Sequence, residues 1–111
     1  MLLEVYRRLV KRKKRYIVVE ASTEISIEVF KKIIEKSYLE LFGEFGLNEA
    51  NLRVVKKINN KFILECSHNS TPRAILSISS IKKLDDSLIY LRVVKVAGTI
   101  RKAIPSIKRR C

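Results

Sequence analysis

The spacing of apolar side chains changes several times along the chain, and each change marks an element. From Arg15 to Glu20 the run RYIVVE is short, β-branched and aromatic, the make-up of a strand. Beyond it Ile27, Phe30, Ile34, Tyr38 and Leu41 recur at intervals of three and four, which puts one apolar stripe on a helix. Ser26 stands where an N-cap belongs and Glu28 falls in the first turn. Gly43 and Gly46 are expected to stop this helix, with Gly43 as its left-handed terminator. Two strand-like runs follow, LRVVKKI over 52–58 and KFILECSH over 61–68. The Asn59-Asn60 pair between them tolerates the positive φ of a two-residue hairpin turn. Thr71-Pro72 reads as an N-cap followed by proline at the first helical position, opening a helix with Ala74, Ile75, Ile78 and Ile81 on one side. Asp85-Asp86-Ser87 makes the exit turn, and SLIYLRVVKVA, ending near Ala97, reads as one long fourth strand. Gly98 closes it, and Thr99 caps a short terminal helix that Pro105 kinks or ends.

This order, β-α-β-β-α-β, is the split βαβ of ferredoxin-like and RNA-recognition-motif folds: an α+β sandwich with a four-stranded antiparallel sheet. Right-handed crossovers give the spatial order 4-1-3-2, with the first strand antiparallel to the last. The reading is of a single domain over 1–111: a basic N-terminal helix over 1–14, the core over 15–98, and a basic C-terminal helix or tail over 99–111. Both Tyr16-Ile17-Val18-Val19 and Leu88-Ile89-Tyr90-Leu91 are apolar on either side of the pleat, whereas two crossover helices cover one face only. The other face is covered by the terminal helices or by another protein.

Charge adds what periodicity lacks. The 111 residues carry 24 Lys and Arg against 11 Asp and Glu, a net charge of +13 that favours a polyanionic partner. The excess is concentrated at the ends. Arg7, Arg8, Lys11, Arg12, Lys13, Lys14 and Arg15 face only Glu4 over residues 1–15, and Arg101, Lys102, Lys108, Arg109 and Arg110 face no acid beyond Gly98. Since strands one and four run antiparallel side by side, Arg15 and Gly98 are expected to be neighbours, merging both ends into one cationic surface for RNA phosphates. The GTIRK run sharpens this: the N–H groups at a helix start, the Thr99 hydroxyl, Arg101 and Lys102 resemble an anion site, the alternative being an exposed, frayed turn.

Other function classes have little to stand on. No apolar run exceeds four residues, against the roughly 20 that cross a bilayer. Leu3, Tyr6 and Val10 mark a short apolar face that fits docking on the protein's own sheet better than a membrane surface. Charges follow rather than precede the first apolar residues, so no secretory signal is read and a cytoplasmic location is expected. Cys66 and Cys111 form no CxxC pair and are expected as free thiols. His68 is the sole histidine, and Glu28, Glu35 and Glu40 alternate with lysines as on a solvated helix face, so no catalytic residue, metal site or protein-bound cofactor is assigned. The third strand, with Phe62 as its only aromatic, lacks the glycine-and-aromatic run by which RNA-recognition modules stack bases.

Three segments carry a family likeness: RYIVVE after a basic segment, LFGEFGL after the first helix, and above all LRVVKVAGTIRKA near the end. Over about residues 13–104 the chain resembles the protein component 2 family of archaeal ribonuclease P, related to the small Pop-type subunits of the eukaryotic enzyme. Gly98, Thr99, Ile100 and Arg101 fall on the shared GTIR element. Ala97 stands where the family usually has serine, and Glu65 where a basic residue is common. The resemblance implies a protein helper of an RNA enzyme, in which the RNA carries the active site and its magnesium ions and removes the 5′ leader from precursor tRNA. It also implies pairing with the TIM-barrel ribonuclease P protein component 3, commonly as a two-plus-two assembly.

Overall fold

The structure, a computed structural model, describes residues 13–84 and 87–103. Strand β1 (Lys14–Ala21) leads into helix α1 (Ile27–Ala50), and strands β2 (Arg53–Ile58) and β3 (Lys61–Ser67) form a hairpin. A 3₁₀ turn (His68–Ser70) opens helix α2 (Thr71–Ser79). Two short strands, β4 (Lys83–Leu84) and β5 (Ser87–Leu88), precede β6 (Leu91–Ala97), and the chain turns helical again at residue 100 (α3, described to residue 103). The main sheet has the order β2-β3-β1-β6, antiparallel throughout, which is the 4-1-3-2 arrangement expected once β6 is counted as the fourth strand.

The alternation of side chains across the pleat sends Ile17, Val19, Phe62, Leu64 and Leu91 toward the helices, where they meet Phe30, Ile34, Tyr38, Ala74 and Ile78. Phe30 and Phe62 stack with centroids 4.0 Å apart and rings nearly parallel. Each is fully buried, and burial of such a side chain stabilises the fold by about 1.5–3 kcal/mol. The Ser37 hydroxyl donates to the Ser77 carbonyl at 2.8 Å, so the two helices touch through small residues and the buried polar group is satisfied. On the opposite face Val18, Ile63 and Ala97 pack with Ala103 of α3. The chain's own terminal helix therefore contributes cover to the second apolar face.

Three local expectations are corrected. Gly43 does interrupt α1, with non-helical φ 78 and ψ 175, but not as a left-handed terminator: a second helical segment containing Gly46 follows at once to Ala50, and Asn51 at φ 52 is the left-handed C-cap. The resumed segment is held because Gly46 and Ala50 are buried. Thr71 is not the N-cap of α2: the 3₁₀ turn moves the start, Ser70 takes the cap position, and the Thr71 hydroxyl donates back to the His68 carbonyl at 3.0 Å. The stretch from Ser87 to Ala97 is not one strand, because Ser87–Leu88 folds back on Lys83–Leu84. The Ile89 amide donates to the Lys82 carbonyl and the Tyr90 amide to the Ser22 hydroxyl, so sheet pairing begins only at Leu91. The Asp85-Asp86 turn lies outside the described residues, as do most of the expected N-terminal helix and the C-terminal tail with Pro105. Lys14, placed in that N-terminal helix by its charge, belongs to β1.

Candidate functional site

The antiparallel pairing of β1 with β6 fixes where the basic ends meet. Tyr16 lies opposite Ala97, so the next residue outward on each strand is Arg15 and Gly98. The Arg15 guanidinium comes to 3.8 Å from where a Gly98 Cβ would sit. That is ordinary van der Waals distance, so the arginine lies directly beside the turn into α3. On the other flank of β1, Lys14 pairs with Ser67, and the Lys13 carbonyl accepts from the His68 amide at 2.8 Å. The 3₁₀ turn is thereby pinned to the first residues of β1.

Thr99 caps α3 as the sequence predicts. Its hydroxyl oxygen accepts from the Lys102 amide at 3.2 Å and its carbonyl from the Ala103 amide at 3.2 Å. That bond satisfies one amide of the helix start and anchors Arg101 and Lys102 in the first turn, both exposed, beside Gly98. Lys95 reaches along β6 to donate to the Lys102 carbonyl at 3.2 Å. Ala103, fully buried against Val18 and Ile63, keeps this turn on the sheet. Of the cations read from the sequence, the structure brings Lys13, Lys14, Arg15, Arg101 and Lys102 to one end of the sheet. Arg7, Arg8, Lys11, Arg12, Lys108, Arg109 and Arg110 lie outside the described residues.

Acidic residues are arranged to leave this end cationic. Glu20 binds Arg92 at 2.7 Å and Glu24 binds Lys57 at 3.2 Å, both at the far end of β1. The Glu65 carboxylate does enter the basic end: it is 6% exposed, between Tyr16 of β1 and Arg53 of β2 in the register and 3.6 Å from the Lys14 ammonium. Burial, and then the Glu65 carboxylate, push the Tyr16 phenol above its ordinary value. Sequence reasoning missed this cluster. Strand order sets β1 and β2 on either side of β3, but it takes the register to bring Lys14, Tyr16 and Arg53 around Glu65.

The arrangement defines a class: a small ferredoxin-like α+β fold in which the start of the first strand and the end of the last, with Lys13, Lys14, Arg15, Arg101 and Lys102, lie side by side. The Rpp14/Pop5 family model matches residues 15–107, and the chain belongs to that family. It is similar to ribonuclease P protein component 2 of Methanosarcina mazei, with 28% identity over 93 residues, covering 82% of this chain and 80% of that protein. The namesake in Sulfurisphaera tokodaii is 26% identical over 94 residues, covering 83% and 76%. The fold is shared with a chain in the cryo-electron microscopy structure of yeast ribonuclease MRP, with a TM-score of 0.69 at 12% identity over 83% of this chain and 79% of that one. No helix among the described residues is long and apolar enough to cross a membrane.

Proposed function

We propose that the chain is an RNA-binding protein subunit of ribonuclease P and assists the catalytic RNA in removing the 5′ leader from precursor tRNA. The observation that supports this reading, within the family, is the meeting of β1 and β6: Arg15 lies beside Gly98, where the described parts of the two basic stretches approach each other. Lys13, Lys14, Arg15, Arg101 and Lys102, joined by Arg7, Arg8, Lys11, Arg12, Lys108, Arg109 and Arg110, neutralise phosphates and displace condensed counterions without reading bases. Thr99 holds the turn that presents Arg101 and Lys102. On this reading the magnesium ions of the reaction belong to the RNA.

A protein partner of the TIM-barrel component 3 type, in a two-plus-two assembly, fits the apolar side chains left exposed: Phe45 (80%) and Leu76 (52%) on the helices, and Leu88 (65%) and Tyr90 (64%) by the β4–β5 hairpin, the latter two at the end of the sheet opposite the cations. The two roles separate experimentally. With the matching catalytic RNA and protein partners reconstituted on precursor tRNA, replacing Arg101, Lys102, Lys108, Arg109 and Arg110 by glutamine is expected to slow cleavage at moderate salt by at least about tenfold, in line with several lost phosphate contacts. Unchanged cleavage would mean that the chain acts through protein contacts alone.

A further inference from the structure

A cleft of about 510 Å³ opens beside the basic end, lined by Arg15, His68, Asn69, Thr71, Pro72 and Ile75. Its walls come from three elements: the start of β1, the 3₁₀ turn and the first turns of α2. Arg15 lines the cleft and also belongs to the basic end, where its guanidinium lies beside Gly98 and donates to the Lys14 carbonyl at 3.2 Å. The Thr71 hydroxyl is occupied with backbone carbonyls, whereas the side chains of His68 and Asn69 stand exposed at the rim with no hydrogen-bond partner among the described residues.

The lining is selective in kind. It holds a guanidinium, an imidazole, an amide and an apolar wall, and no carboxylate. The larger groove between α1 and the β4–β5 hairpin, about 690 Å³, includes Glu40, and the crevice between α1 and β2 includes Glu35. That groove also carries Lys36, Lys82 and Lys83, so charge alone does not single out the cleft beside Arg15; what sets it apart is a lining free of carboxylates and continuous with the basic end. A phosphate on regular duplex needs only exposed cations, without concavity. A cleft of this size suits a small ligand with a polar end and a flat apolar body. RNA offers such a group wherever a nucleotide is unstacked, because a splayed base settles on flat or apolar side chains and exposes its edge to amides and imidazoles.

We propose that this cleft seats one unpaired nucleotide of the RNA held at the basic end, its phosphate on Arg15, its base against Pro72 and Ile75, and its edge toward His68 and Asn69. The proposal rests on the RNA-binding reading above and adds a structural preference to it: the protein distinguishes an interrupted helix from a continuous one. The side chains of His68 and Asn69 are exposed and the bonds that hold the 3₁₀ turn run through the His68 backbone, which alanine keeps, so the His68→Ala/Asn69→Ala double variant of the full chain is a usable probe.

Affinities are measured for an RNA hairpin carrying one bulged nucleotide and for the same hairpin fully paired. The wild-type chain is expected to bind the bulged hairpin about tenfold more tightly, and the double variant to lose that preference while keeping its affinity for the paired one and its salt dependence. His68 is the only histidine, so its imidazole proton signal is a single reporter: the bulged hairpin shifts it and the paired hairpin leaves it in place. Equal affinity of the wild type for both hairpins, or an unmoved His68 signal, overturns the cleft while leaving salt-dependent binding intact. Failure to bind either hairpin overturns the RNA reading beneath it.

Discussion

Glu65 is the residue at which charge and burial conflict. A carboxylate 6% exposed is costly to bury unless paired, and Lys14 at 3.6 Å with a half-exposed side chain is a partner that RNA phosphates compete for. Glu65→Gln is therefore expected to strengthen RNA binding modestly at low salt, by about two- to threefold, through release of Lys14. It is also expected to lower the Tyr16 titration midpoint, since the carboxylate adds to burial in raising it; ultraviolet titration of the tyrosines checks this against Tyr16→Phe. The sign for stability follows. A phenol whose folded-state value lies above the ordinary 10.0 favours the fold fully below that pH, and the contribution is lost as pH climbs through the raised value. Tyr16→Phe removes this part of the alkaline decline, measurable as a smaller loss of Tm between pH 9 and 11. Cys66 is explained more simply: burial raises its thiol, so alkylation in the native state is expected to proceed only at the rate of opening.

At the scale of elements, two glycines three residues apart do different work. Gly43 has open space where a Cβ would go, but its φ 78 and ψ 175 lie in a region that only glycine visits freely. Gly46 is helical, and a Cβ there would stand 3.0 Å from the Phe42 Cβ. Gly43→Ala is thus expected to cost about 1–3 kcal/mol through backbone strain. Gly46→Ala costs less, because the higher helix propensity of alanine offsets part of the crowding. Thermal unfolding of the two variants checks the order. In the sequence both glycines look like stop signals, because a kink and a terminus ask for the same residue, and only the burial of Ala50 beyond them tells the two apart. The β4–β5 hairpin was hidden for a related reason. Two-residue strands carry no period, and Ser87–Leu88 joins an apolar run continuous with β6. The longer elements were readable because their periodic faces, such as Phe30-Ile34-Tyr38 and Ile17-Val19, are the faces that enter the core.

For the whole molecule the decisive geometry is topological. Strand order and antiparallel direction follow from the element order, and they alone predict that Arg15 and Gly98 meet. That much of the candidate site was legible. The Arg15–His68–Asn69 cleft was not, because it depends on the 3₁₀ turn that pins His68 to Lys13, a feature with no pattern in three residues. Cations of both ends acting as one surface for a single stretch of RNA are tested most directly by the salt dependence of binding to the matching catalytic RNA. With about six phosphates engaged, log K against log salt is expected to slope near −4 to −5. Replacing the basic residues of either end by glutamine is expected to reduce that slope by roughly half. A wild-type slope near zero, or a slope that neutralising one end leaves unchanged, would contradict the single surface.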